Sequence, residues 1–240
     1  MIHIKKVTFL FSFFVCFFVA QKIDAQNINR YDKNKQRTGI WKKYHPNKRI
    51  RYTGQFKEGK EIGVFKFYDI TSSENPVAIK TFFDNSDSLF VQFFTLKGQM
   101  KTEGILNKRA RVGNWKYFYP DRTLMSEENY NENGKLHGNH LVYYPDGKIT
   151  SFSTYENGLL EDIASKFSSD GVLIEEVTYH KGVPHGLAKY FELNGNLKES
   201  GNYNNGKRVG KWNFYLDGEE ASDTEVLKSK TSYNRKKNEQ

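Results

Sequence analysis

An aromatic side chain returns eight times along the chain at almost constant spacing: Tyr44, Tyr68, Phe94, Phe118, Tyr143, Phe167, Phe191 and Tyr215. The steps are 24, 26, 24, 25, 24, 24 and 24 residues. Self-similarity at so short a period means that each unit is one supersecondary element, and that units must stack to bury a core. Two other columns keep the same phase. A glycine stands five residues earlier in six units (Gly39, Gly63, Gly113, Gly138, Gly186, Gly210). An aromatic or leucine stands twelve residues later at Phe56, Leu106, Tyr130, Tyr155, Tyr179 and Tyr203, and fourteen later at Phe82 in the unit that is two residues longer.

One unit, residues 186–209, shows what repeats. Leu187 to Glu192 is short and mixed, with Tyr190 and Phe191 suited to a pleated surface. Asn194-Gly195 predicts a turn, because these residues accept the positive φ that tight hairpins need. From Leu197 to Tyr203 the period of two puts Leu197, Glu199, Gly201 and Tyr203 on one face. Asn205-Gly206 predicts the second turn. No sustained helical pattern with caps follows residue 25. The expectation is an all-β chain: an elongated antiparallel sheet of about eight stacked β-hairpins of 24 residues each. With strands about 4.8 Å apart, each hairpin advances the sheet by roughly 9–10 Å.

Parity within the first strand of each unit adds detail. The column Trp41, Phe65, Val91, Trp115, His140, Ala164, Ala188, Trp212 shares a face with the column two residues later. The always-aromatic column falls on the other face. Irregular units stand out too. Thr71 to Pro76 predicts a longer loop, the third unit has Leu89 in place of glycine, and the sixth has Asp162.

The ends differ from the repeats. Lys5 and Lys6, an apolar run from Val7 to Ala20 and the closing Ile23-Asp24-Ala25 have the order of a secretory signal peptide over residues 1–25. The run of 14 is short of the roughly 20 residues a spanning helix needs. Phe17, Phe18 and Val19 continue the apolar core past Cys16, which argues against lipidation there. Cleavage after Ala25 would remove the single cysteine, so no disulfide could form and packing alone would hold the fold. The net charge of +9 would become +7, since Lys5, Lys6, Lys22 and Asp24 leave. The expected organisation is a signal peptide (1–25), a polar lead-in (26–38), the repeat array (39–228) and a charged tail disordered by composition (229–240). Localisation would be periplasmic or extracellular in a bacterium.

The pattern G-x-W-x-x-Y-[YF]-x-[DN]-G followed by tyrosine and N-G resembles the MORN-repeat family in its bacterial variant, commonly labelled a YwqK-type antitoxin family. Residues 113–120 (GNWKYFYP), 138–147 (GNHLVYYPDG) and 210–218 (GKWNFYLDG) carry the resemblance best. It covers residues 39 to about 226. What the resemblance implies is a hairpin-repeat sheet with a role in binding proteins or membranes, and no catalysis by the repeats. The antitoxin label fits poorly, because an exported protein does not meet a cytosolic toxin.

The residues themselves offer little chemistry. His137 and His185 hold the same repeat position two units apart, about 19–20 Å by strand spacing, too far to share a zinc ion. His137 and His140 lack a completing ligand set, and His45 and His180 stand isolated. No serine sits in a nucleophile elbow. The pairs Glu127-Glu128, Glu175-Glu176 and Glu219-Glu220 point to opposite strand faces and do not flank one bond. The glycines match neither phosphate-loop nor dinucleotide spacing. The expectation is no enzyme, no cofactor, no metal site and no small-molecule substrate.

Binding is the remaining class. Between Arg30 and Arg51 lie nine basic residues (Arg30, Lys33, Lys35, Arg37, Lys42, Lys43, Lys48, Arg49, Arg51) and one acid, Asp32. The larger rings of the Trp column lie in the same half of the chain, and interface energy concentrates in Trp, Tyr and Arg. The candidate partner-contact residues are therefore Arg37, Trp41, Lys43, Arg49, Arg51 and Trp115. The expected function is an exported, non-catalytic scaffold that binds an envelope or secreted protein. The alternative is a module for anionic lipid, lipopolysaccharide or cell-wall surfaces. Export argues against nucleic acid.

Overall fold

The structure, a computed structural model, describes residues 27–222 together with 224 and 225. The proposed signal peptide and charged tail lie outside the described residues. Within them the chain is nearly all β. Its strands are β1 (Arg30–Tyr31), β2 (Arg37–Tyr44), β3 (Ile50–Lys57), β4 (Lys60–Phe67), β5 (Ala78–Phe82), β6 (Ser88–Phe94), β7 (Met100–Asn107), β8 (Ala110–Phe118) and β9 (Leu124–Tyr130). They continue as β10 (Gly138–Tyr143), β11 (Ile149–Glu156), β12 (Leu159–Phe167), β13 (Leu173–His180), β14 (Val183–Phe191), β15 (Leu197–Asn204), β16 (Lys207–Leu216) and β17 (Glu219–Glu220). All 17 belong to one open antiparallel sheet. Each strand pairs with its successor in sequence, so every repeat touches mainly its neighbours.

The two turns of a unit are of different kinds in units such as the first and the seventh. Residues at the second turn have left-handed φ in pairs, such as Glu58 (50°) with Gly59 (76°) and Asn205 (47°) with Gly206 (77°). That is the two-residue hairpin whose twist matches the strands. The first turn is wider. At Asn194-Gly195 only the glycine has positive φ, and the loop closes by Glu192 N–H donating to the Asn196 carbonyl at 2.8 Å. The sequence expectation of a tight turn there is thus corrected to a five-residue loop. The segment from Thr71 to Pro76 does fall in the long β4–β5 connection.

The glycine column marks a bulge. Between β7 and β8 the register jumps from Glu103↔Lys116 to Ile105↔Val112, leaving Gly104 opposite Trp115, Asn114 and Gly113. Gly113 has φ 65°, which an L side chain rarely adopts. Asp162 keeps φ 60° and the bulge persists in β12, whereas the unit with Leu89 has no register shift between β5 and β6.

The core is a row of side chains on one face, built from the Trp column. Trp41, Phe56 and Phe65 form one buried cluster, with Tyr52, Phe67 and Phe82 packed against it. Successive rings meet edge to face: Trp41–Phe56 at 5.7 Å, Phe56–Phe65 at 5.2 Å and Phe65–Phe82 at 5.6 Å. Leu89, Val91 and Trp115 form the second cluster. Later units bury Val177 and Ala188. Ring size is matched across strands. Gly54, Gly104 and Gly201 lie beneath Phe65, Trp115 and Trp212, where any Cβ would overlap the ring. Where the column holds Ala188, its partner in register is Val177. The always-aromatic column lies half-buried on the opposite face, apart from the exposed Tyr44.

Candidate binding surface

Each of the six candidate residues has a defined place. Trp41 and Trp115 are core residues, 7% and 1% exposed. The Trp41 indole N–H donates to the carbonyls of Arg30 and Thr38 at 3.2 Å, and that of Trp115 to the Ile105 carbonyl at 3.0 Å. Rings so covered leave little area for a partner, so the assignment of Trp41 and Trp115 as contact anchors is corrected. They hold the sheet together. The other four, Arg37, Lys43, Arg49 and Arg51, are exposed.

These four sit at the first edge of the sheet. Arg37 opens β2, and its guanidinium lies over the rings of Trp41 (5.0 Å) and Phe56 (5.2 Å). Lys43 pairs with Tyr52 in β3. Arg51 is the residue skipped where the β2–β3 register shifts, from Lys43↔Tyr52 to Tyr44↔Ile50. Arg49 closes the preceding loop through its carbonyl, which accepts from His45 N–H at 2.8 Å. The lead-in runs back along this edge. β1 pairs with β2 through Arg30↔Thr38 and Tyr31↔Arg37, and Asn29 bonds the backbone of Ile40 and Lys42. Asp32, the one acid, accepts N–H groups of Asn34 and Gln36 through Oδ1. Among the described residues no carboxylate pairs with any of the nine basic side chains from Arg30 to Arg51. The ion pairs lie from Asp87 onward.

A second cluster lies at mid-sheet, and sequence reasoning missed it. The Glu128 carboxylate accepts the hydroxyls of Tyr117 (2.7 Å) and Tyr130 (2.5 Å). Arg111 donates to the Tyr117 (2.6 Å) and Tyr130 (3.1 Å) hydroxyls and stands 3.8 Å from the carboxylate. His140 completes the ring at 4.0 Å from the other carboxylate oxygen. Burial, reinforced by Glu128, raises the Tyr117 and Tyr130 phenols above their ordinary range. Burial opposes the Arg111 charge, but the two phenols and the carboxylate outweigh it and raise that pKa. Protonated phenols around a paired carboxylate rigidify a sheet.

The remaining polar groups are equally settled. His180 lies 2.6 Å from Glu161 and 6.0 Å, ring to ring, from His185, while His45 contacts the Tyr68 carbonyl at 3.0 Å. Among the described residues no group of three or more His, Cys, Asp or Glu could hold a metal ion. A recess between the β3–β4 and β5–β6 turns is lined by Lys57, Glu58, Lys60, Glu61, Asp84 and Asp87, a mixed-charge set.

Three stretches, residues 37–58, 136–157 and 184–205, match the family model described as the MORN repeat variant. The first and third each span one hairpin, β2–β3 and β14–β15, and the second covers β10–β11. No curated protein matches the chain. Among solved structures, a crystal structure of an S. aureus TarM mutant in complex with Fondaparinux, alpha-GlcNAc-glycerol and UDP is similar at 18% identity with a TM-score of 0.27. That likeness covers 40% of this chain and 19% of the other.

Proposed function

We propose that this chain is a non-catalytic, exported repeat scaffold whose first edge binds an acidic envelope or secreted protein. One observation carries the reading. Nine basic side chains crowd the first edge with no internal acid to pair with, while later repeats pair their charges across strands. Unpaired like charges repel, and an acidic partner relieves that cost while steering its own approach. The matched MORN repeats are consistent with a binding role. The case for export is the basic start and apolar run of residues 1–25, with a mature N-terminus at Gln26.

The test is capture from an envelope extract by the full chain and by an Arg49→Ala/Arg51→Ala variant, at low and high salt. The variant should stay folded, capture less acidic protein and lose part of its salt sensitivity. Unchanged capture would place the contact elsewhere. Sedimentation with vesicles containing anionic lipid, in the absence of protein capture, would replace the protein partner by a lipid or cell-wall surface. Intact mass from the native host checks the Gln26 terminus.

A further inference from the structure

Three units share the string R-x-G-x-W: residues 37–41 (RTGIW), 111–115 (RVGNW) and 208–212 (RVGKW). In each, the arginine lies over the indole four residues on, at 5.0 Å for Arg37, 4.8 Å for Arg111 and 3.8 Å for Arg208. A guanidinium stacked on an aromatic face is held with its fork aimed outward. In two units the chain supplies the anion itself. Glu199 takes Arg208 bidentately at 2.9 and 3.0 Å. Glu128 stands 3.8 Å from Arg111, bridged to it by two tyrosine hydroxyls.

The first unit has no such acid. Glu128 follows Arg111 by 17 residues, and the same offset from Arg37 is Gly54, where Phe65 forbids a side chain. Glu199 precedes Arg208 by nine residues, and the same offset from Arg37 is Ile28. Glu58 and Glu61, in the adjoining hairpin, form no ion pair with Arg37, and Asp32 is engaged in its own loop. Arg30 lies alongside, its Nη2 3.5 Å from where a Cβ on Gly39 would stand, and adds a second cation.

We infer that Arg37, stacked on Trp41, is the seat for a glutamate or aspartate side chain of the partner protein. The partner thereby completes the arginine–tryptophan–carboxylate unit that the chain completes internally at Arg208 and Arg111. The inference rests on the reading of the first edge as a contact for an acidic protein, and it narrows that contact to one guanidinium. Carboxylate is the anion both internal units use, and the fork geometry favours a planar bidentate acceptor.

The experiment measures binding of fluorescently labelled hexaglutamate to the full chain at low salt by anisotropy, with the thermal midpoint of every variant recorded. Arg37→Ala should weaken binding about tenfold, the weight of one charge-assisted hydrogen-bonded contact. Arg37→Lys should restore only part, because an ammonium keeps the charge and loses the fork. Arg208→Ala should leave binding unchanged, because Glu199 already fills that unit. Wild-type binding by folded Arg37→Ala, or equal weakening by Arg208→Ala, overturns the seat. If Arg49→Ala/Arg51→Ala loses hexaglutamate while Arg37→Ala keeps it, the seat falls and the basic-edge reading stands. If the wild type ignores hexaglutamate but sediments with phosphatidylglycerol vesicles, both fall.

Discussion

Gly104 lies directly beneath the indole of Trp115, so that any Cβ at residue 104 would overlap the ring. The relation recurs at Gly54 under Phe65 and at Gly201 under Trp212. It is inverted where Val177 faces Ala188. On this face of the sheet, Phe65, Trp115 and Trp212 are each given room by a glycine on the strand before them.

This matching sets a double-mutant test. Gly104→Val should cost at least about 1–3 kcal/mol through overpacking, and Trp115→Ala about 3–5 kcal/mol through the cavity it leaves. Gly104→Val combined with Trp115→Ala imitates the Val177–Ala188 pair and should be more stable than the sum of the single losses implies. Urea denaturation of the four proteins reads it. Strict additivity would show that the two positions do not share one space.

Tyr117 gives a pH prediction. Its folded pKa is raised, first by burial and then by its hydrogen bond to Glu128, so the fold favours the protonated phenol. The associated stability is complete below about pH 10, the unfolded value, and is lost as pH rises toward the folded one. Tyr117→Phe should be less stable than wild type by about 0.5–1.5 kcal/mol at neutral pH. The gap should narrow above about pH 10. Thermal midpoints from neutral to alkaline pH test this, and a constant gap would contradict it.

Asp162 holds φ 60° on an exposed bulge where other units use glycine. Asp162→Val should cost about 1–2 kcal/mol, because a side chain in the left-handed region crowds its own carbonyl and β-branching worsens it. Asp162→Gly should be neutral or stabilising. Equal effects from both would mean that the bulge moves to accommodate them.

Deletion of residues 186–240 should leave a folded sheet through β13, because each strand pairs only with its neighbours. Circular dichroism should keep its β signature with a lower thermal midpoint. Complete loss of that signature would require contacts between distant repeats.

Much of this was legible in one dimension. The 24-residue period, the two-residue hairpins at Asn157-Gly158 and Asn205-Gly206 and the parity of the Trp column each follow from local chemistry. Two further signals were present and unread: a glycine eleven residues before Phe65, Trp115 and Trp212, and an arginine four residues before every tryptophan of the repeats. Both were hidden because they mean something only across strands. The Glu128 cluster was hidden for the same reason. Its four partners span residues 111 to 140 and converge only once β8, β9 and β10 are in register.

The sequence by itself determined the repeat, its two strands and two turns, and which residues share a face, because pleating and left-handed turn residues act within a few positions. The tertiary structure decided what a shared face means. Register and bulges set which side chains meet between strands. They put Trp41 and Trp115 in the core, gave Arg208 a carboxylate from its own chain and left Arg37 facing solvent over its indole. Parity names a face, but burial and charge pairing depend on what the next strand places there.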